Sequence, residues 1–277
     1  MKVNKNTLEI ITKPFEWNRL LQEIGNFDFY HTYDYHSIAT LDNQDPILLK
    51  YTEKNCIIAL PLLIRKVTNT HYFDACSVYG YAGPISKGIY SDFNNELFVK
   101  RLMTFFQENN IITVFSRLNP YINNQEKILK SFGDIVTQGK VVNIDLTLDE
   151  AIQRQNYQNR LKTQINQSRR KCITEKADSP EALKEFVDIY YENMQRVEAK
   201  KHYFFSKGYF DKIFTSRQFK TEILLAKERK SGITVAGCIF ISTNNIVQYH
   251  LSGTKTDFLH LSPTKILIDE MRIIAST

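Results

Sequence analysis

The sequence predicts an α/β protein built from two copies of one mixed unit, and three observations support this. The chain has 277 residues, which is long enough for two domains because single hydrophobic cores stop growing near this size. Two distant segments repeat one pattern of strands and turns, and a helical pattern follows each. With 43% hydrophobic and 24% charged residues, the composition is that of a globular protein, so we expect packed cores throughout.

The repeated pattern is a β-hairpin. Residues 47–67 contain two apolar stretches joined by a charged turn, and residues 222–253 repeat this pattern and add an aromatic third strand. A shift of 176 positions aligns the hairpins without a gap and pairs 47–49 with 223–225. We therefore expect turns of equal length in a duplicated fold. The alternative is that two mixed α/β segments look alike by chance.

Helical periodicity predicts the elements around these hairpins. Helices are expected at 15–24, 33–41, 93–107, 124–132, 149–172, 180–200 and 265–275. Further strands are expected at 112–121 and 139–147. We place the domain boundary after residue 148, which gives domains 1–148 and 149–277.

Charge and cysteine content limit the classes of partner. The net charge of +6 favours an anionic partner without deciding between nucleotide, tRNA and lipid headgroup. The four cysteines are far apart and form no CxxC pair, so we expect neither a metal site nor a disulfide framework. No apolar stretch is long enough to cross a bilayer, and the N-terminus lacks a signal-like apolar region, so we expect a soluble, cytoplasmic protein.

An amphipathic basic helix is predicted at 151–174, which contains no acidic residue. Tyr157, Leu161 and Ile165 form its apolar stripe, and Arg160 is one of the six cations beside it. Guanidinium groups bind phosphates bidentately, so the helix is a candidate to bind tRNA, coenzyme A or a lipid-linked phosphate. The alternative is a solvated helix face.

Two further segments of the second half are candidate sites. Ser262, Thr264 and Lys265 flank a predicted helix N-terminus, where free N–H groups attract anions; the alternative is a well-capped helix. Tyr249 and His250 should point to opposite faces of a strand, so that one reaches the ligand. His250 is a candidate general base because its ordinary pKa lies near neutrality; the alternative is a structural histidine.

In the first half, residues 78–84 combine small residues with Tyr79 and Tyr81. Glycine lets a ligand approach the backbone closely between aromatic walls, although a bare turn has the same composition. Motifs of Rossmann enzymes, P-loop NTPases, zincins and serine hydrolases are missing from the sequence. Catalysis would therefore depend on positioning and main-chain donors.

With these residues in view, the chain resembles the FemAB-like group of the GNAT superfamily. The resemblance rests on the segments 29–33, 79–84, 114–117, 159–161, 202–205 and 249–253, with Tyr191, Met194, Arg196 and the pair Ala236–Gly237. It implies two tandem GNAT-like folds, with mixed sheets flanked by helices and a substrate cleft between them. The family pattern continues beyond the helix at 265–275 into closing strands, so we expect the second copy to lack its last strands.

The resemblance also implies an activity and a set of site residues. The activity is transfer of an acyl or aminoacyl group to an amine of a cell-envelope precursor, sugar or amino acid. His250 and Tyr249 are the catalytic candidates. The expected substrate-binding residues are Tyr79, Tyr81, Arg117, Arg160, Tyr191, Arg196, Tyr203 and Phe204. The expected acyl-donor site comprises Leu251, Ser252, Gly253, Ser262, Thr264 and Lys265.

The donor separates the remaining alternatives. An acyl-thioester such as acyl-CoA is favoured at this stage, because only modest helices stand where users of aminoacyl-tRNA carry a long helical arm. Aminoacyl-tRNA used for a peptidoglycan bridge is the alternative, with peripheral contact to a lipid-linked precursor as a further expectation. A non-catalytic tRNA- or lipid-binding module is a third possibility, and steep salt dependence without turnover would favour it.

Overall fold

The computed structural model describes residues 7–41 and 43–276. The chain divides along its sequence into two compact units, with the division between Val141 and Val142, whereas the boundary expected from the sequence follows residue 148. Each unit contains its own β-sheet with helices packed against it. The predicted α/β class, with two sheets flanked by helices, is confirmed.

Unit 1 is built on a sheet of six strands. The strands are β1 (Thr7–Ile11), β2 (Gln44–Glu53), β3 (Cys56–Lys66), β4 (Phe73–Cys76), β5 (Ile85–Lys87) and β6 (Ile111–Phe115). Their order is β1-β2-β3-β4-β6, and β5 pairs with β3. Only β4 and β6 run parallel; the other neighbours are antiparallel.

Helices cover both faces of this sheet. They are α1 (Pro14–Ile24), α2 (Tyr33–Ala39), α3 (Glu96–Glu108) and α4 (Gln125–Leu129). Leu48 packs in the cluster around Trp17 of α1, and its neighbour Leu49 packs in the cluster around Phe98 of α3. Successive strand residues point to opposite faces, so the middle of β2, residues 47–49, and most of β3 are continuously apolar.

Unit 2 is built on four antiparallel strands in the order β10-β9-β8-β7. The strands are β7 (Cys172–Ala177), β8 (Lys220–Glu228), β9 (Thr234–Thr243) and β10 (Ile246–Thr254). The helices are α5 (Glu150–Gln155), α6 (Asn159–Lys171), α7 (Pro180–Arg196), α8 (Lys207–Thr215) and α9 (Thr264–Ala275). Among the described residues, no helix is long and apolar enough to cross a membrane.

The sheet of unit 2 also packs on both faces. Leu224 and Cys238 lie in one cluster with Ile165 of α6 and Ile266 of α9. On the other face, α7 lies directly against β10. A Cβ added to Gly253 would lie 2.8 Å from the main-chain oxygen of Ile189, so only glycine permits this approach of the helix.

The same order of elements occurs in both units. A strand and two α-helices precede three consecutive strands and a further helix, as β1-α1-α2-β2-β3-β4-α3 and as β7-α7-α8-β8-β9-β10-α9, except that unit 1 inserts the short strand β5 between β4 and α3. The gapless alignment of the hairpins was wrong, however. Lys54 and Asn55 alone join β2 to β3, whereas residues 229–233 join β8 to β9, with a register shift at Ala226–Lys227. Because of the longer turn, Ile223 pairs with Ile239, one residue later than the pairing of Ile47 with Leu62 would predict after a shift of 176 positions.

Two element predictions were also wrong. The helix expected at 149–172 is broken into α5 and α6, because Tyr157 leaves the helical path and directs its hydroxyl toward Asp269 of α9, at 3.4 Å. The strand expected at 139–147 does not form. Its alternating pattern finds no paired strand among the described residues, and Thr147 instead closes a local turn on Asp145.

A buried carboxylate connects the helices on the α9 face. Asp269 is 1% exposed and binds Arg154 of α5, Arg169 of α6 and Arg272 of its own helix, at 3.2, 2.9 and 3.1 Å. Burial by itself would raise the pKa of Asp269, but the hydrogen bonds from Arg169 and Arg272 outweigh it and lower this pKa. Asp269 is therefore ionised and holds three helices together.

Replacing this carboxylate should strongly destabilise unit 2. In the Asp269→Ala variant, the guanidinium of Arg272 loses its buried counter-ion and keeps the largely exposed carboxylate of Glu150 at 3.4 Å. Removing the buried partner of a buried charge costs about 3–5 kcal/mol. Urea unfolding followed by circular dichroism measures the change. The control is Glu270→Ala, which removes a partly exposed carboxylate 3.3 Å from Arg169 and should cost no more than about 1 kcal/mol. Equal losses for the two variants would contradict the role of Asp269.

Candidate functional site

Residues 79–84 of unit 1 form a loop after β4 whose main chain is held by buried polar side chains. Four side chains bind its main-chain oxygens: Tyr35 that of Tyr79 (2.8 Å), Asn119 that of Tyr81 (2.9 Å), His31 that of Ala82 (2.7 Å) and Gln125 that of Pro84 (3.0 Å). Buried polar groups this well satisfied make a rigid network. The loop is therefore preorganised.

Asn119 is the centre of this network. Its side-chain amide also donates to the carboxylate of Asp28 at 3.0 Å, its main-chain N–H donates to Gln125 at 2.7 Å, and its side-chain oxygen accepts from the main chain of Tyr121 at 2.9 Å. Asp28 and His31 are fully buried. His31 Nε2 donates to the Ala82 oxygen while its Nδ1 accepts from the Asp28 N–H, so the network itself selects the tautomer.

Gly80 allows the loop to pass close to an aromatic ring. Its φ is +118°, a conformation that side chains rarely adopt, and an added Cβ would lie 2.0 Å from the ring of Tyr30. Tyr79 and Tyr81 flank this glycine and remain 37% and 40% exposed. The network therefore presents two aromatic side chains at the surface of unit 1.

Arg117 lies beside the same loop. Its main-chain N–H donates to the Ser77 hydroxyl at 3.3 Å, and its guanidinium lies 5.8 Å from the ring of Phe115. Tyr121 adds a further half-exposed ring, 37% accessible. Tyr79, Tyr81 and Arg117, all predicted from sequence, are exposed, and Arg117 contacts Ser77 at the start of the loop segment that leads to Tyr79. An exposed guanidinium beside aromatic rings can bind an anionic ligand with a flat or ring-shaped part.

The residues that support this surface were not among the predicted site residues. They come from two separate parts of the chain, Asp28 and His31 from one and Asn119, Tyr121 and Gln125 from the other, and polar residues in loops are too common to stand out. The one available signal was the spacing of Asp28 and His31, which form a reciprocal capping box at the start of a 3-10 turn. That motif predicts a helix start but not a role in holding a distant loop.

In unit 2, most of the predicted residues lie at one end of the sheet. β10 ends there at Thr254, opposite Ala236 near the start of β9. The C-terminal end of α7 is adjacent, because the Thr256 N–H donates to Glu192 at 2.7 Å. Leu251 is only 6% exposed and belongs to the packed interior rather than to an open surface.

The loop after α7 is fixed by tyrosine hydroxyls. Tyr190 donates to the main-chain oxygen of Tyr203 at 2.6 Å, and Tyr191 donates to that of Phe205 at 2.5 Å. Phe204 stacks on Tyr191 with an interplanar angle of 24° and is 36% exposed. Arg196 is also exposed and donates to Asn193 at the end of the helix. Among the predicted substrate-binding residues, Tyr191, Arg196, Tyr203 and Phe204 therefore occupy neighbouring positions.

His250 lies where the register of β10 shifts. It is 8% exposed, and its Nε2 is 2.8 Å from the Tyr209 hydroxyl. Burial lowers the pKa of His250 to about 3, so the ring is neutral near pH 7. A base this weak is poorly matched to removing a proton from an ammonium group. The environment suits His250 to holding Tyr209, and its role as a general base stays a prediction.

Tyr249 points the other way. It is 45% exposed and its hydroxyl forms a short hydrogen bond with Ser252. Burial of the hydroxyl end and the neighbouring Cys238 raise the pKa of Tyr249. The phenol is therefore protonated at neutral pH, and its hydroxyl is engaged with Ser252.

The expected capping at the start of α9 was wrong. Ser262 adopts a left-handed conformation with φ of 49°, Pro263 occupies the cap position, and no side chain caps the helix. Thr264 instead bonds to Thr254 at 2.9 Å, and Lys265 donates to Gln164 of α6 at 2.7 Å. These side chains hold α9 to its neighbours. Their predicted contact with an acyl donor stays a prediction.

The basic helix is divided between inward and outward cations. Arg154 and Arg169 bind Asp269, and Lys162 donates to the main-chain oxygen of Gln155 at the break between α5 and α6. Arg160 is exposed and makes no hydrogen bond or ion pair within 7–41 and 43–276. Some cations of the basic helix therefore stabilise the packing of unit 2, and others, such as Arg160, face solvent. The predicted cleft between the two copies stays a prediction.

The polar network of unit 1 should depend on Asn119. The Asn119→Ala change removes donors to buried Asp28 and Tyr81 oxygens, and each buried group left without its partner costs about 1–3 kcal/mol. We expect the free energy of unfolding to fall by at least about 2 kcal/mol, measured by urea titration. The matched control is Asn123→Ala, whose side chain is exposed and should have little effect. A stable Asn119→Ala protein would show that the network is not needed.

Three buried histidines should make the fold sensitive to acid. Burial lowers the pKa values of His31, His36 and His250 to about 4, 3 and 3, below the ordinary 6.5. The unfolded chain binds these protons and the folded chain does not. The free energy of unfolding should therefore fall as pH drops from about 6.5 toward 4, by up to about 1.4 kcal/mol per pH unit for each ring.

Urea titrations between about pH 7 and 5 measure this slope. We expect His250→Gln to take up about one proton fewer on unfolding than the parent protein. The control is Asn123→Ala, which changes an exposed, non-titrating side chain and should leave the slope unchanged. If His250→Gln kept the parental slope, the histidine would not be buried as a neutral ring.

Comparisons with known proteins define the fold. No protein-family model matches the chain, and no curated protein matches it. Among solved structures, the chain is similar to the protein described as "Crystal structure of FemX", with a TM-score of 0.68 and 11% sequence identity. The match covers 96% of this chain and 85% of FemX. The chain therefore has a Fem-like two-domain fold.

Proposed function

We propose that this protein is an aminoacyltransferase that uses aminoacyl-tRNA to extend an amine of a peptidoglycan precursor. The observation that carries the proposal is the likeness to FemX, which extends over 96% of the chain. It agrees with the sequence resemblance to the FemAB-like group. The narrower GNAT N-acyltransferase description is part of the proposal and rests on that resemblance.

The proposed donor is aminoacyl-tRNA, whereas the sequence alone favoured acyl-CoA. The FemX-like fold favours the aminoacyl-tRNA alternative. The distribution of charge agrees with it, because residues 142–277 contain 21 Lys and Arg against 16 Asp and Glu, whereas residues 1–141 contain 15 against 14. A concentration of cations in one unit suits a polyanion better than a small thioester.

The acceptor is assigned to unit 1 in this proposal. Tyr79, Tyr81 and Tyr121 offer exposed rings on which a sugar or a base can stack, and Arg117 offers a guanidinium for a phosphate or carboxylate. A peptidoglycan precursor combines sugar, peptide and acidic groups. The preorganised loop at 79–84 would bind it with little further ordering, which favours affinity.

The reaction needs no redox partner. The acceptor amine attacks the ester carbonyl of the donor, the bond from that carbonyl to the tRNA ribose oxygen breaks, and an amide forms. The proton lost by the amine replaces the bond on the ribose oxygen. In this scheme the protonated Tyr249 hydroxyl donates a hydrogen bond to the oxygen that becomes negative in the transition state. His250 acts indirectly, by holding Tyr209.

A label-transfer assay tests the proposal. The purified protein is incubated with a peptidoglycan precursor and either tRNA charged with a labelled amino acid or labelled acetyl-CoA. We expect label to reach the precursor from tRNA alone. Tyr249→Phe should lower the rate by about 10²-fold, the range for losing one such donor, while Arg117→Gln should mainly raise the KM for the precursor.

His260→Gln is the control variant and should keep the parental rate. Transfer from acetyl-CoA but not from tRNA would overturn the choice of donor and show that the protein uses an acyl-CoA. Salt-sensitive binding of tRNA without any transfer would instead identify a non-catalytic binding module.

A further inference from the structure

Four exposed cations come together at one corner of unit 2. Arg170 and Lys171 end α6, and Arg229 and Lys230 begin the loop between β8 and β9. All four are exposed. We call this group the basic corner.

Hydrogen bonds fix the two halves of the basic corner to each other. The main-chain N–H of Arg229 donates to the Lys171 oxygen at 2.7 Å, and Arg229 Nε donates to the Arg169 oxygen at 3.3 Å. The loop thereby satisfies carbonyl groups at the C-terminal end of α6, where positive charge is favourable. The four side chains are consequently held on a rigid element boundary rather than on a free tail.

Neighbouring carboxylates do not neutralise the basic corner. Glu228 accepts from the Ser231 hydroxyl at 2.7 Å, and Glu175 is paired with Lys227 at 2.6 Å. Among the residues that the structure describes, none of the four cations takes part in an ion pair. Arg154 and Arg169 of the same helical region differ from these four cations, because both form ion pairs with Asp269.

We propose that the basic corner binds the phosphate backbone of the tRNA donor. This inference rests on the proposed function and adds the surface that holds the body of the tRNA. Clustered Arg and Lys side chains without aromatic neighbours bind phosphates rather than bases, so they position a nucleic acid without reading its sequence. The loop 229–233 carries no Trp, Tyr or Phe, the side chains that anchor proteins at a membrane interface.

Salt-dependent binding of uncharged tRNA tests the basic corner. Fluorescence anisotropy gives the Kd over a series of salt concentrations for the parent protein and for the double variant Arg170→Gln/Lys230→Gln. Neither side chain makes a hydrogen bond or ion pair within the described part of the chain, so the fold should survive. We expect on the order of tenfold weaker binding near physiological salt and a salt slope shallower by about two.

The matched control is Lys184→Gln/Lys212→Gln, which removes the same charge from exposed positions of α7 and α8 on the opposite face of the sheet. It should keep the parental slope. If the two double variants lost affinity equally, the effect would be one of net charge and the inference would be overturned. Unchanged tRNA binding by the corner variant would also overturn it, while leaving the proposed transferase intact.

Two outcomes separate this inference from the proposed function. If the parent protein failed to bind tRNA even at low salt, the donor assignment and the basic corner would fall together. If the corner variant lost binding to vesicles of phosphatidylglycerol but not to tRNA, the corner would be a membrane contact and the inference would be wrong.

Discussion

The buried carboxylate of Asp269 is the interaction on which the arrangement of unit 2 depends. One ionised side chain, 1% exposed, binds arginines from α5, α6 and α9, and it persists as an anion because those arginines outweigh the cost of burial. These ion pairs turn the side chains of Arg154 and Arg169 toward the interior of unit 2. The four cations of the basic corner form no ion pair with Asp269 and remain exposed.

In unit 1, neutral donor side chains surround a buried carboxylate, that of Asp28. Asn119, Gln125 and His31 supply the buried donors that a loop of main-chain oxygens requires, and the pKa of His31, lowered by burial, keeps it neutral in this setting. The two units therefore differ in chemistry despite sharing an order of elements.

Each unit has its own candidate surface, and each follows from the interactions that support it. In unit 1 the loop presents Tyr79 and Tyr81, and in unit 2 the hydrogen-bonded loop after α7 presents Phe204 and Arg196. Both groups consist of exposed aromatic rings near a guanidinium on a preorganised loop. Exposed aromatic rings beside a guanidinium can bind ligands that combine a ring with an anionic group.

The sequence by itself determined the α/β class, the order of the hairpins and helices, and the aromatic and basic residues that reach the surface. These follow from local periodicity and composition, which act over a few residues. Only the tertiary structure decided that Tyr157 breaks the basic helix, that Arg154 and Arg169 turn toward Asp269, and that His250 is buried against Tyr209. Each of these depends on a partner distant in the chain, and the free energy of burying a polar group is set by that partner rather than by its sequence neighbours.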